Sequence, residues 1–184
     1  MNSRMQAPRK STSLQDNPKS YPARYRARRG FSLIELLIVV AIIMIIAAIS
    51  IPDFMKSKMA ANQASAVSSM RVINSAEVMY NSSYQKGYSP SLAALKAPPP
   101  GTAPSLSAAA LVDDVLAGGV KSGYTFQYVP GLKDPQGYYL TYTVNGNPTT
   151  PGGTGQVYYF TDSSYVIRFN NLHAATSTDM ALSK

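Results

Sequence analysis

FSLIELLIVVAIIMIIAAISI, residues 31–51, decides how this chain is built. Within it only Ser32, Glu35 and Ser50 are polar. At ~1.5 Å of rise per residue the run makes roughly 32 Å of helix, which matches the ~30 Å hydrocarbon core of a bilayer. A helix buried in a small soluble domain would keep a polar face, and this one has none. The run therefore predicts a membrane-spanning helix near the N-terminus.

Upstream, residues 1–30 are polar and basic. They carry Arg4, Arg9, Lys10, Lys19, Arg24, Arg26, Arg28 and Arg29 against the single acid Asp16, a net +7 out of the +8 of the whole chain. Pro8, Pro18 and Pro22 interrupt them, and no apolar periodicity is present. They read as a disordered leader. Basic residues on the N-terminal flank place that end in the cytoplasm and send the rest of the chain outward. Residues 31–184 hold nine basic and eight acidic side chains, a net +1. The apparent basicity thus belongs to the leader, and nucleic acid is not expected as a partner. The chain has no cysteine, which excludes disulfides, thiol catalysis and cysteine-ligated metals.

Downstream, Pro52 lacks the backbone donor of a helical residue and crowds the preceding turn, so a kink or an end is expected there. Residues 53–84 become amphipathic. Met59, Ala66, Met70, Ile73, Ala76 and Tyr80 recur at helical spacing on one face, with Asn62, Ser65, Arg71, Asn74, Ser75 and Asn81 as polar counterparts. Gly87, Ser89 and Pro90 break the helix. A short helical turn is expected over Ser91–Lys96, a loop over 97–104, and a second short helix over Ser107–Leu116 ended by Gly118 and Gly119. From Tyr124 onward aromatic and β-branched residues alternate with polar ones. Segments Tyr124–Val129, Tyr138–Val144, Val157–Phe160 and Tyr165–Phe169 predict three or four antiparallel strands. Pro130-Gly131, Asn145-Gly146 and Asp162-Ser163 are the expected turns, and residues 170–184 a loose tail. The fold class is therefore α+β: a long N-terminal helix, half transmembrane and half amphipathic, packed on a small antiparallel sheet.

The run Arg28-Arg29-Gly30-Phe31-Ser32-Leu33-Ile34-Glu35 resembles the prepilin-type signal of the type IV pilin and pseudopilin family, in which a basic leader ends in glycine before a phenylalanine, a glutamate and an apolar helix. Pro52 also falls where that family often has proline. The resemblance covers residues 24–84, and the later loop and sheet are similar to a pilin head. It implies cleavage between Gly30 and Phe31, N-methylation of Phe31, and a role for Glu35 in subunit assembly through the Phe31 amine of a neighbouring subunit. It implies a non-enzymatic structural subunit with residues 1–30 as leader, 31–52 as transmembrane and filament-core helix, and 53–184 as the helix continuing into the head. The implied partners are prepilin peptidase, membrane lipid before assembly, an inner-membrane pilus or secretion platform, and further copies in a helical filament. The implied location is the bacterial inner membrane, then an extracellular pilus or a periplasmic pseudopilus. A major pseudopilin of type II secretion, or a minor pilin whose head binds a surface or DNA, fits the same residues. A carboxylate inside the apolar run costs ~2.5–3.5 kcal/mol unless paired. The competing reading for Glu35 is a lone acid that reaches the interface or stays protonated.

Other signals are weaker. Arg28-Arg29 and Ala48-Ile49-Ser50 imitate a twin-arginine export signal with its cleavage site, but the apolar run exceeds the ~7–15 residues of a signal peptide. His173 stands alone and reads as a surface residue. Asp113 and Asp114 read as solvated; Asp134 and Asp162 read as turn residues, with a calcium site built with loop carbonyls as the competing reading, because their spacing is not diagnostic. Asn81-Ser82-Ser83 is a sequon by pattern only. The tyrosines of the head read as core and cross-strand packing, with recognition of a sugar, a surface or nucleic acid as the competing reading. No cofactor or metal is expected, and no nucleophile or acid–base constellation is present.

Overall fold

The computed structural model describes residues 30–183. The expected leader, apart from Gly30, lies outside the described residues, as do Arg28 and Arg29 of the signal. Two compact units divide between Ala41 and Ile42.

Helix α1 spans Leu33–Tyr84. Its first nineteen positions, Leu33 through Ile51, are apolar except for Glu35 and Ser50, and their large side chains are left uncovered, from Leu33 at 80% exposure to Ile51 at 58%. Pro52 does not end the helix: it sits inside α1, at the cost of the donor that the Ala48 carbonyl would normally receive. From Ala66 onward one face is buried. Ala66, Met70, Ile73, Ala76 and Tyr80 enter the core as their spacing predicts, whereas Met59 is only half-buried. The helix closes with Gln85 donating to the Asn81 carbonyl at 2.8 Å, and Gln85 and Gly87 take positive φ. Gly87 is required there, because a Cβ would collide with the Tyr139 carbonyl.

The next segments differ from expectation in one respect. The short turn appears as a 3-10 helix at Leu92–Leu95, capped by Ser91. The second helix is much shorter than Ser107–Leu116: α2 covers only Asp114–Ala117, with Asp113 as its N-cap. The reason is competition for backbone donors. The amides of Ala109, Leu111 and Val112 bond to carbonyls of Ala94 and Leu95, so this stretch lies extended against the 3-10 turn.

Six strands follow: β1 Val120–Lys121, β2 Tyr124–Pro130, β3 Tyr142–Pro148, β4 Tyr158–Asp162, β5 Arg168–Asn170 and β6 Met180–Ala181. They form one antiparallel meander in sequence order. Both edge strands are two residues long. This is the expected α+β, pilin-like arrangement, with more strands than predicted.

Asn145-Gly146, expected as a turn, lies inside β3. Gly146 pairs with Phe126 on one side and Tyr159 on the other, and the Phe126 ring lies 3.4 Å from where its Cβ would be. The glycine makes room for an aromatic ring and does not reverse the chain. The actual β2–β3 connection is a longer loop, Gly131–Thr141. It is closed by Gly131 to the Thr141 carbonyl at 2.8 Å and by Leu140 to the Leu132 carbonyl at 2.8 Å. The expected strand Tyr138–Val144 therefore begins only at Tyr142. Likewise Tyr165 stands in a turn with φ 60, and β5 starts at Arg168. The tail is not loose, since β6 pairs with β5, Ala175 is buried, and Leu182 packs on the core.

The core joins the apolar face of α1 to the 3-10 turn, α2 and one face of the sheet. Tyr124, Tyr142 and Tyr159 are buried in it, and Tyr128 stacks on Tyr142 with centroids 5.6 Å apart. Asn74, expected on the polar face, is buried instead. Its amide nitrogen donates to Thr161 Oγ1 at 3.0 Å and to the Tyr165 carbonyl at 3.1 Å, and its oxygen accepts from the Tyr142 hydroxyl at 2.9 Å. Replacing Asn74 strands partners that water cannot reach. Asn74→Ala should lower unfolding stability by about 2–4 kcal/mol in urea titrations of the full chain in detergent.

Candidate functional site

The chain presents two carboxylates whose surroundings single them out. One, Glu35, stands at the start of α1. Ser32 precedes the first helical residue, and its carbonyl accepts the Leu36 amide at 3.2 Å. The Glu35 carboxylate turns back and accepts the Ser32 amide at 2.9 Å. This is one half of a capping box, in which a glutamate at the third helical position satisfies a donor that the helix cannot. A negative charge in the first turn also complements the helix dipole. The pattern Ser32-x-x-Glu35 is legible in the sequence. The bond draws the carboxylate back to the peptide that joins Phe31 to Ser32. Phe31 itself is 86% exposed.

Among the described residues nothing crowds Gly30. A Cβ built on it meets nothing within 4 Å. Its own backbone gives the described residues no steric reason for a glycine at that position.

The other carboxylate, Glu77, escaped the sequence reading. It is fully buried. Oε2 accepts the Ser89 amide at 3.0 Å and Oε1 accepts the Ser89 hydroxyl at 2.6 Å. The Tyr128 hydroxyl donates to the Ser89 carbonyl at 2.9 Å, which ties β2 into the same cluster. Burial pushes the Glu77 carboxyl above its ordinary value, and the Ser89 hydrogen bonds oppose the rise. The signal was present: Glu77 lies four residues after Ile73 and three before Tyr80, within the apolar stripe.

The remaining residues have structural placements. Asp113 caps α2 by accepting the Leu116 amide at 2.9 Å and pairs with Lys121 at 2.9 Å, and the Lys121 contact holds its carboxyl below the usual range. Asp134 accepts the Tyr138 amide, and Asp162 the Ser164 amide, so both build turns. His173 is exposed, beside Asn170 at 3.2 Å. Asp179 accepts from Asn170, the Thr176 amide and the Thr176 hydroxyl, and its carboxyl is lowered with Asn170 as the main cause. Asn81 and Ser83 of the sequon are exposed. Among the described residues no group of three or more His, Cys, Asp or Glu side chains is placed to hold a metal ion.

The start of α1 is also where known proteins are similar. Residues 25–51 match the family described as the prokaryotic N-terminal methylation motif. Over 56 residues the chain is 46% identical to the type IV major pilin protein PilA of Myxococcus xanthus (strain DK1622). That alignment covers 30% of this chain and 26% of the relative, so it spans about a quarter of that protein's length. No solved structure matches the chain.

The buried carboxyl carries a pH signature. Because the folded-state pKa of Glu77 lies above 4.5, the folded chain holds a proton that the unfolded chain has released. The sign is then fixed: this group favours folding most at and below pH 4.5, and its contribution falls as pH rises from there through the folded pKa. Lowered carboxyls such as Asp113 and Asp179 act in the opposite sense, losing stabilisation as pH falls. Subtracting the thermal-unfolding profile of Glu77→Gln from that of the parent chain should isolate a difference that falls as pH rises above 4.5. A flat difference would remove Glu77 as a titrating group.

Proposed function

We propose that the chain is a pilin-like filament subunit. It waits in the inner membrane with its N-terminus in the cytoplasm and residues 31–52 in the bilayer. Prepilin peptidase cuts between Gly30 and Phe31, Phe31 is N-methylated, and an assembly platform draws the product into a helical filament. Residues 53–184 supply the rest of the helix and the head, and Pro52 gives the helix a place to bend. The observation that carries this reading is the uncovered apolar face of Leu33–Ile51, broken only by Ser50 and by Glu35 at its start. Such a surface needs lipid or other copies of itself. In a filament core the helices replace lipid with one another.

The junction supports the same reading. Gly30, without a side chain, would let a peptidase approach the backbone closely. Release of a Phe31 amine places a cation next to the peptide that Glu35 already caps. A pair between Glu35 and the amine of a neighbouring copy would set the axial register. The motif fits a pilus and a type II secretion pseudopilus alike, and the likeness to a major pilin is the one support for a pilus.

N-terminal sequencing of the membrane-derived protein tests the reading directly. A start at methylated Phe31 is expected, and a start at Met1 or Ile51 would sink it. Gly30→Leu should leave the full-length form in the membrane, and sheared surface fibres should then contain none of this chain.

A further inference from the structure

The head carries a cavity beside the end of the 3-10 turn. It is an open cleft of about 510 Å³, within the range of small-ligand sites. Tyr88, Pro90, Tyr138 and Tyr139 supply an aromatic and apolar wall, and Lys86 and Lys96 also line it. These residues come from the segment that follows α1, the end of the 3-10 turn and the β2–β3 loop.

The wall is held in place before any ligand arrives. The Tyr88 amide donates to the Tyr139 carbonyl at 2.9 Å. Gly87 permits that approach, which a side chain would block. Ser89, between two lining residues, is fixed to the buried Glu77 by two hydrogen bonds. The Tyr88 hydroxyl bonds to that of Tyr165 at 2.8 Å. Little ordering remains to be lost on binding.

The charged residues that line the cavity are both basic, Lys86 and Lys96. Lys86 lies 5.5 Å from the centre of the Tyr138 ring, and Lys133, outside the lining, lies 4.7 Å from that of Tyr139. The ion pairs among the described residues are Lys56 with Asp53 and Lys121 with Asp113, so none of these three lysines meets a carboxylate there. No Asp or Glu lines the cavity.

We propose that this cavity binds an acidic saccharide: a pyranose unit bearing a carboxylate, within a longer anionic polysaccharide. Tyrosine faces pack against the apolar C–H face of a sugar ring, and lysine ammonium groups take the carboxylate. Nucleic acid shares the negative charge but fits less well. A phosphate backbone calls for a basic stripe, and residues 31–184 hold nine basic against eight acidic side chains. The lysines gather at one site, which suits a ligand with its charge on one ring.

The test is calorimetric titration of the full chain in detergent micelles with trigalacturonate. Binding is expected. The double variant Lys86→Ala/Lys96→Ala, with far-UV circular dichroism unchanged, should bind roughly tenfold more weakly or not at all. Lys56→Ala, outside the cavity, should bind as the parent does. Neutral galactotriose should bind more weakly than trigalacturonate. The proposal is overturned by no binding of trigalacturonate, by equal binding to the double variant, by equal affinity for the neutral sugar, or by tighter binding of a single-stranded oligonucleotide of equal charge.

Discussion

Two side chains one turn apart on α1, Asn74 and Glu77, hold the head to the helix. Each replaces an apolar residue on a face that otherwise reads Met70, Ile73, Ala76 and Tyr80. Asn74 reaches β3 through Tyr142, β4 through Thr161 and the following turn through Tyr165. Glu77 reaches the chain that leaves the helix, through Ser89. Apolar packing alone is tolerant of sliding, whereas buried polar groups must find their own partners or stand unsatisfied. These contacts therefore fix which turn of α1 faces which strand. The tyrosine stack and the cavity above it inherit that register.

Local pattern carried the helix, and it carried the residues that enter the core. Met70, Ile73, Ala76 and Tyr80 could be placed from spacing, because an amphipathic face has only one way to be buried. The segments that misled did so for one common reason: their local preference lost to a distant partner. Asn145-Gly146 has the composition of a tight turn, yet the Phe126 ring claims the space over Gly146. Residues 107–113 favour helix by composition, yet their amides find carbonyls of the 3-10 turn. The tail is polar and short, yet Asp179 gathers three donors and lets β6 join the sheet. None of these competitors is visible in a window of neighbouring residues.

At the candidate site the sequence was more informative. Gly30, Phe31 and Glu35 could be named from the motif, and the motif match covers the same stretch. What needed geometry was the local partner of Glu35, the Ser32 amide. A carboxylate that already caps its own helix is ordered before any neighbour arrives, so less freedom is lost if it later changes partners. Glu77 needed geometry for another reason. A glutamate on an apolar stripe is a warning in the sequence, but which donors neutralise it depends on where the chain goes after the helix.

The two-residue strands at either border of the sheet have a consequence for crowding. A long bare border invites another chain to extend the sheet, and at high local density that ends in irreversible association. Here β1 and β6 offer almost no ladder to extend, and Lys121 adds a charge on one of them. Many copies could then be concentrated side by side without merging their sheets.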